Sequence, residues 1–205
     1  MQRNVCSAVA ALVVALAGCA DPHLLAGQTA GRSVAVAAPV GTQLNLHGMD
    51  TFLGERGKVA VPDWSLEETV SRAAMLALQE TKRYPIVKVV TGLDRNSADF
   101  LKSDALRDSD FLVLIEPQSS GIGLSQRTIM GGIQCVAQVS LKGELFDLRT
   151  GQSLASDQHL TYWQVPQKLD PGPRISDADL RELREPILSR ASEAVERLLR
   201  KLGLR

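Results

Sequence analysis

The sequence predicts a single α/β domain, a mixed sheet covered by helices in the order β-α-β-α-β-β-β-α. Three observations carry this. Short apolar runs at 33–39, 86–91 and 111–116 are separated by stretches with helical character. An alternating run at 133–145 leads into a polar turn and a return strand. A long segment at 176–202 has one apolar stripe, enough to cover a sheet face.

The first strand is Ser33–Pro39, small and β-branched throughout, as a buried strand requires. Residues 41–63 follow, with Gly41, Gly48, Gly54 and Gly57 and no sustained period. They read as an irregular insertion able to hold a small hairpin, of a length often tied to function. Ser65–Tyr84 is the first helix. Leu66, Val70, Ala73, Ala74 and Ala77 recur at helical spacing, and Ser65 with Glu68 spells a capping box. Trp64 before the box suits a hydrophobic staple, and Pro85 ends the helix.

Ile86–Thr91 is the second strand and Ser97–Arg107 a second, shorter helix. Phe111–Glu116 is apolar throughout, as a central strand is. Pro117–Gly132 is rich in glycine and serine and reads as a flexible connection. From Ile133 to Leu145 apolar and small residues hold the odd positions, and Gln134, Gln138, Ser140, Lys142 and Glu144 hold even ones. One face of that strand is buried and the other wet. Asp147–Gln152 is the turn, and Ser153–Val165 the return strand. In the final helix Leu180, Leu183, Ile187, Ala191, Val195, Leu198 and Leu202 form the stripe. Gly203 suits its end, and Pro186 kinks or splits it. Glu193 with Arg197 and Glu196 with Arg200 have i,i+4 spacing on its wet face.

The amino terminus has a different character. Arg3 precedes the apolar run Val9–Leu16, and Leu16-Ala17-Gly18-Cys19 follows. A bilayer span needs about 20 apolar residues, so the run is a signal h-region. Ala15-Leu16-Ala17-Gly18 also fits an ordinary cleavage site, but small residues directly before a cysteine favour a lipobox, with residues 1–18 read as a signal peptide and Cys19 as the lipidated residue. Two or three acyl chains anchor stably, since each buried CH₂ contributes about 0.8 kcal/mol. Residues 19–32 read as the lipidated cysteine and a flexible tether, and residues 33–205 as the domain. This amino terminus resembles that of bacterial lipoproteins in general. In that group an aspartate directly after the cysteine favours inner-membrane retention. Here Ala20 holds that place and Asp21 the next. The resemblance implies a palmitate-bearing outer-membrane lipoprotein whose domain faces the periplasm.

Composition narrows the partners. The chain balances 23 basic against 23 acidic residues, without the clustered basic face that nucleic acid requires. Aromatic content of 4% disfavours stacking platforms for bases or sugars. If Cys6 leaves with the signal and Cys19 is lipidated, Cys135 is left over: it could react or pair between molecules, but it reads first as a small core residue on the apolar face of its strand.

Motifs for chemistry are sparse. His47, Asp50 and Glu55 are the best metal candidates, without the spacing of a known metal motif. His23 lies in the tether and His159 on the return strand. Gly121-Ile122-Gly123 lacks the third glycine of a dinucleotide fingerprint, because Gln126 takes its place. There is no nucleophile elbow. No catalytic residue, cofactor or metal is assigned. Of Tyr162 and Trp163, one faces solvent and suits a partner contact.

The runs SVAVAAP, SDFLVLIEPQ and VSLKGELFDLRTGQSLAS resemble envelope lipoproteins with a TolB amino-terminal-like, or CsgG-like, α/β domain. The turn Phe146–Gln152 carries most of the likeness. The resemblance implies a non-enzymatic protein that forms oligomers or binds periplasmic or outer-membrane partners. The segment between Leu114 and Val136 is too short and polar for transmembrane pore hairpins. The leading expectation is a lipid-anchored, non-catalytic protein supporting assembly, export or cell-wall maintenance through protein contacts. The alternative is a lipid-anchored enzyme or small-ligand binder using loops 41–63 and 117–132.

Overall fold

A computed structural model describes residues 22–39, 45–50, 54–60, 64–128, 133–165 and 177–205. Its elements are α1 (Pro22–Thr29), β1 (Val34–Ala37), β2 (Asn45–Asp50), β3 (Gly54–Ala60), α2 (Leu66–Glu80), β4 (Val87–Val89), β5 (Phe111–Thr128), β6 (Ile133–Asp147), β7 (Gln152–Val165) and α3 (Asp177–Lys201). They form one α/β unit on a mixed sheet, as the sequence predicts.

β5 organises that sheet. Its first part pairs in parallel with β1, from Val34 opposite Phe111 to Ala37 opposite Leu114. Its second part pairs in parallel with β2, from Leu46 opposite Ile122 to Asp50 opposite Gln126. β1 and β2 therefore follow one another along the same side of β5. β4 lies beyond β1 in parallel, and β3 beyond β2 antiparallel. On the other side β6 and β7 add antiparallel.

The insertion holds the small hairpin the sequence allows, and the stretch read as a flexible connection is largely strand. Residues 45–50 and 54–60 form a hairpin within the sheet, and β5 continues to Thr128 through the glycine–serine run. Pro117, which lacks an N–H, sits where the β5–β6 register shifts, between Pro117 and Ile122. Gly121–Gly123 belong to β5. The loops 41–63 and 117–132 expected to carry contacts are therefore largely sheet.

Two cores flank the sheet. On one face Val34, Val36, Phe111, Val113, Ile115, Val139, Leu141 and Leu145 meet α2 and α3. Val70, Ala74 and Leu78 come from α2, and Leu183, Ile187, Ala191, Val195, Leu198 and Leu202 from α3. Gly143 lies beneath α3, where a Cβ would sit 2.8–2.9 Å from Leu198 and Leu202. On the other face Ala35, Ala37, Leu112, Leu114 and Phe146 are covered by Val90, Leu93 and Leu106. Phe100 meets Phe146 edge-on at 5.7 Å. The segment read as a second helix is two 3₁₀ turns, Phe100–Lys102 and Asp104–Leu106, broken at Ser103.

α3 runs unbroken through Pro186. Glu193 pairs with Arg190, and Glu196 with Arg205, rather than with the residues four places on. The helix ends as the sequence suggests. Gly203 adopts φ 73°, its N–H donates to the Arg200 carbonyl, and the Leu204 N–H donates to that of Leu199. This is a Schellman motif with its Leu199–Leu204 apolar partners buried.

The reading of 19–32 as a tether needs correction. Residues 22–29 are helix α1, with Leu25 and Thr29 buried. The Thr29 hydroxyl donates to the Leu25 carbonyl, and Tyr84 Oη donates to the Leu204 carbonyl at 3.1 Å. The Gly31 N–H donates to the Arg83 carbonyl. Ser33 then ties β1 to β5: its N–H and hydroxyl donate to Asp110 Oδ2 at 2.9 and 2.7 Å. These bonds hold the Asp110 carboxyl below its ordinary range. Cys19 lies outside the described residues.

Candidate functional site: a cavity between α2 and the edge strand β4

The capping box at the start of α2 does not close. Trp64 is buried, and Ser65 takes a left-handed conformation with φ 48° and ψ 47°. Its side chain caps nothing. The chain thus enters α2 through a residue type that rarely adopts this backbone, a conformation often found at functional sites.

α2 has two stripes. Leu66, Val70, Ala74, Ala77 and Leu78 face the core. Glu68, Ser71, Arg72 and Met75, at i, i+3, i+4 and i+7, lie on its flank. That flank overhangs β4. Together with Ser65, Leu66, Glu67, Val89 and Thr91 it lines a cavity of about 680 Å³.

Three features give the cavity binding chemistry. Ser71 is 2% exposed, and its hydroxyl has no hydrogen-bond partner. A buried polar group without a partner costs about 1–3 kcal/mol, a strain sited in the cavity wall. Glu67 is partly buried, and desolvation raises its pKa above the ordinary carboxylate value. Finally, β4 ends the strand order, so its outer edge meets no described strand. Val34 N–H donates to the Ile86 carbonyl, and Val90 N–H to that of Val36. Residues 86, 88 and 90 therefore face β1, and the N–H and C=O of Val87 and Val89 face outward.

The residues singled out from sequence lie elsewhere. His23 is exposed on α1. His47 and Asp50 lie on β2, Glu55 on β3, with Met49 opposite Glu55 and His47 opposite Lys58. Cys135 lies on β6, opposite Gln126 and Val165. Side chains of these four residues are outside those described. His159 Nε2 lies 2.9 Å from Thr161 Oγ1. Burial, then Lys201 and Arg197, lower its pKa, while Asp157 raises it. Tyr162 is the exposed member of its pair, and Trp163 packs on the core. Among the described residues, no group of three or more His, Cys, Asp or Glu could hold a metal ion. Among them, no helix is long and apolar enough to cross a membrane.

A second charged cluster is structural. Arg95 pairs with Glu116 and, at 2.8 Å, with Glu144, while Lys142 lies 3.6 Å from Glu144. It ties the segment after β4 to β5 and β6.

No protein-family model and no curated protein matches the sequence. Solved structures with a similar arrangement include three bacterial proteins. The PelC dodecamer from Paraburkholderia phytofirmans is 14% identical, with 85% of this chain and 89% of that chain covered and a TM-score of 0.42. Protein XCC0632 from Xanthomonas campestris is 12% identical, with 83% and 85% covered and a TM-score of 0.49. Lipoprotein GNA1162 from Neisseria meningitidis is 16% identical, with 79% and 99% covered and a TM-score of 0.41. Likeness at this level assigns neither a family nor an activity.

Proposed function

We propose that this is a lipid-anchored envelope protein that works by binding other proteins rather than by catalysis. The observation that carries the reading is Leu16-Ala17-Gly18-Cys19, followed so soon by a docked helix. Lipid on Cys19 lies within three residues of Pro22, a reach of about 10 Å. Pro22 packs against Gly203, so the bilayer lies near the carboxyl end of α3. The domain is held close to the membrane instead of swinging on a long tether.

Ala20 after the cysteine supports the outer membrane, with the domain in the periplasm. A role in assembly, export or cell-wall maintenance fits such a placement. The α2–β4 cavity supports a contact function, since a strand edge with no described partner offers backbone groups that recognise a chain. The test is the mass of the amino-terminal peptide of protein isolated from membranes. A peptide starting at Cys19 and carrying two or three acyl chains is expected. An unmodified Cys19, or a different start, contradicts the proposal.

A further inference from the structure

We infer that the α2–β4 cavity is a docking groove for an extended segment of a partner polypeptide with a basic side chain beside an apolar one. This deepens the protein-contact reading and rests on it. The groove is shaped like a missing strand position. Its side is the outer edge of β4, where Val87 and Val89 present N–H and C=O groups away from β1. Its roof is the flank of α2, which projects past that edge. A segment laid along β4 extends the sheet by main-chain hydrogen bonds, and alternate side chains point under α2.

The roof specifies those side chains. Leu66, Met75 and Val89 offer apolar surface to one of them. Among the described residues lining the cavity, Glu67 and Glu68 outnumber Arg72. Glu67 already sits where its charge is poorly solvated. The charge balance favours a lysine or arginine next along the same face, and an acidic segment is repelled. Ser65, left-handed at the mouth, starts α2 with no side chain capping its first turn.

The test uses the full chain in mild detergent and a short dye-labelled peptide. The peptide carries threonine at every second position, with valine and lysine taking turns at the others. Fluorescence anisotropy is expected to show saturable binding. Val89→Pro removes an outward N–H without touching the β1 ladder and weakens binding by about tenfold, as one lost hydrogen bond implies. Met75→Trp, which fills the groove from a partly buried position, abolishes binding. The Glu67→Gln/Glu68→Gln protein, and a peptide with glutamate for lysine, each lose about tenfold, an effect that added salt shrinks. Circular dichroism checks that each variant folds. No saturable binding, equal binding by Met75→Trp, or equal binding of the glutamate peptide overturns the inference. A dimer that Val89→Pro dissolves also overturns it, since a second copy would then fill the groove. These outcomes leave the lipid on Cys19 untouched, and an unlipidated Cys19 leaves them unaffected, so the two failures are distinguishable.

Discussion

Replacing Gly203 by alanine tests the docking of α1, on which the proposed short anchor depends. Gly203 has φ 73°, and a Cβ there would lie 2.8 Å from Pro22 Cα and closer still to its carbonyl oxygen. Gly151 supplies a control: its φ is 72°, and nothing lies within 4 Å of a Cβ. A left-handed non-glycine residue costs about 1–2 kcal/mol, and this alone is expected for Gly151→Ala. Gly203→Ala adds the clash. Backbone cannot swing aside as a side-chain tip can, so the added cost is about 1–3 kcal/mol, as for overpacking. Its upper limit is set by release of α1, which exposes Leu25 at about 1.5–3 kcal/mol. Urea unfolding followed by circular dichroism should place Gly203→Ala at least about 1 kcal/mol below Gly151→Ala, by the same overpacking argument. Limited proteolysis should cut faster within residues 22–33. Equal losses for the two variants would refute the docking of α1 against the end of α3.

Three further outcomes follow from packing and charge. Gly143→Ala presses a methyl group into Leu198 and Leu202 and should cost about 1–3 kcal/mol in urea unfolding, with an unchanged m value. Arg95→Ala strands the partly buried Glu116 and Glu144 and should cost about 1–3 kcal/mol, partly restored by salt, as denaturation at two ionic strengths would show. His159 faces Lys201, Arg197, Asp157 and Thr161, and its pKa in the fold lies below the ordinary 6.5. Its contribution to stability is complete above pH 6.5 and is lost as the pH falls through the lower folded value. Melting temperatures should therefore drop as pH falls from 6.5 through the folded value, and His159→Gln should flatten that slope.

What the sequence revealed was local. The turn at 147–152 is one case: Asp147 Oδ1 accepts from the N–H of Arg149 and Thr150, and Gly151 takes the left-handed position. The apolar faces of α2 and α3 and the Gly203 end are others, because periodicity and capping act within a few residues. The sequence allows a small hairpin within 41–63, but its place in the sheet and the far half of β5 were not legible. Their glycines and serines have low strand propensity, and pairing across β5 decides their state. α1 was hidden for a similar reason, since its small residues and Gly27 gain their order from Leu25 meeting the core. The capping box failed because Ser65 enters the helix with a left-handed backbone instead of the extended one an N-cap serine needs.

The candidate site was legible only in part. The stripe Glu68, Ser71, Arg72 and Met75 is visible in the sequence but looks like an ordinary wet flank. That it overhangs a free edge depends on β4 being last in the sheet, which tertiary order alone decides. Conversely, His47, Asp50 and Glu55 are near in sequence, yet Asp50 stands opposite Gly54 and His47 opposite Lys58.

The central claim is that lipid on Cys19 holds this domain at a membrane. Fractionation of cells expressing the Cys19→Ser variant tests it most directly. The wild-type protein is expected to sediment with membranes and resist high salt, while Cys19→Ser is recovered in the soluble fraction. A Cys19→Ser protein that stays with the membranes as fully as the wild type would contradict it.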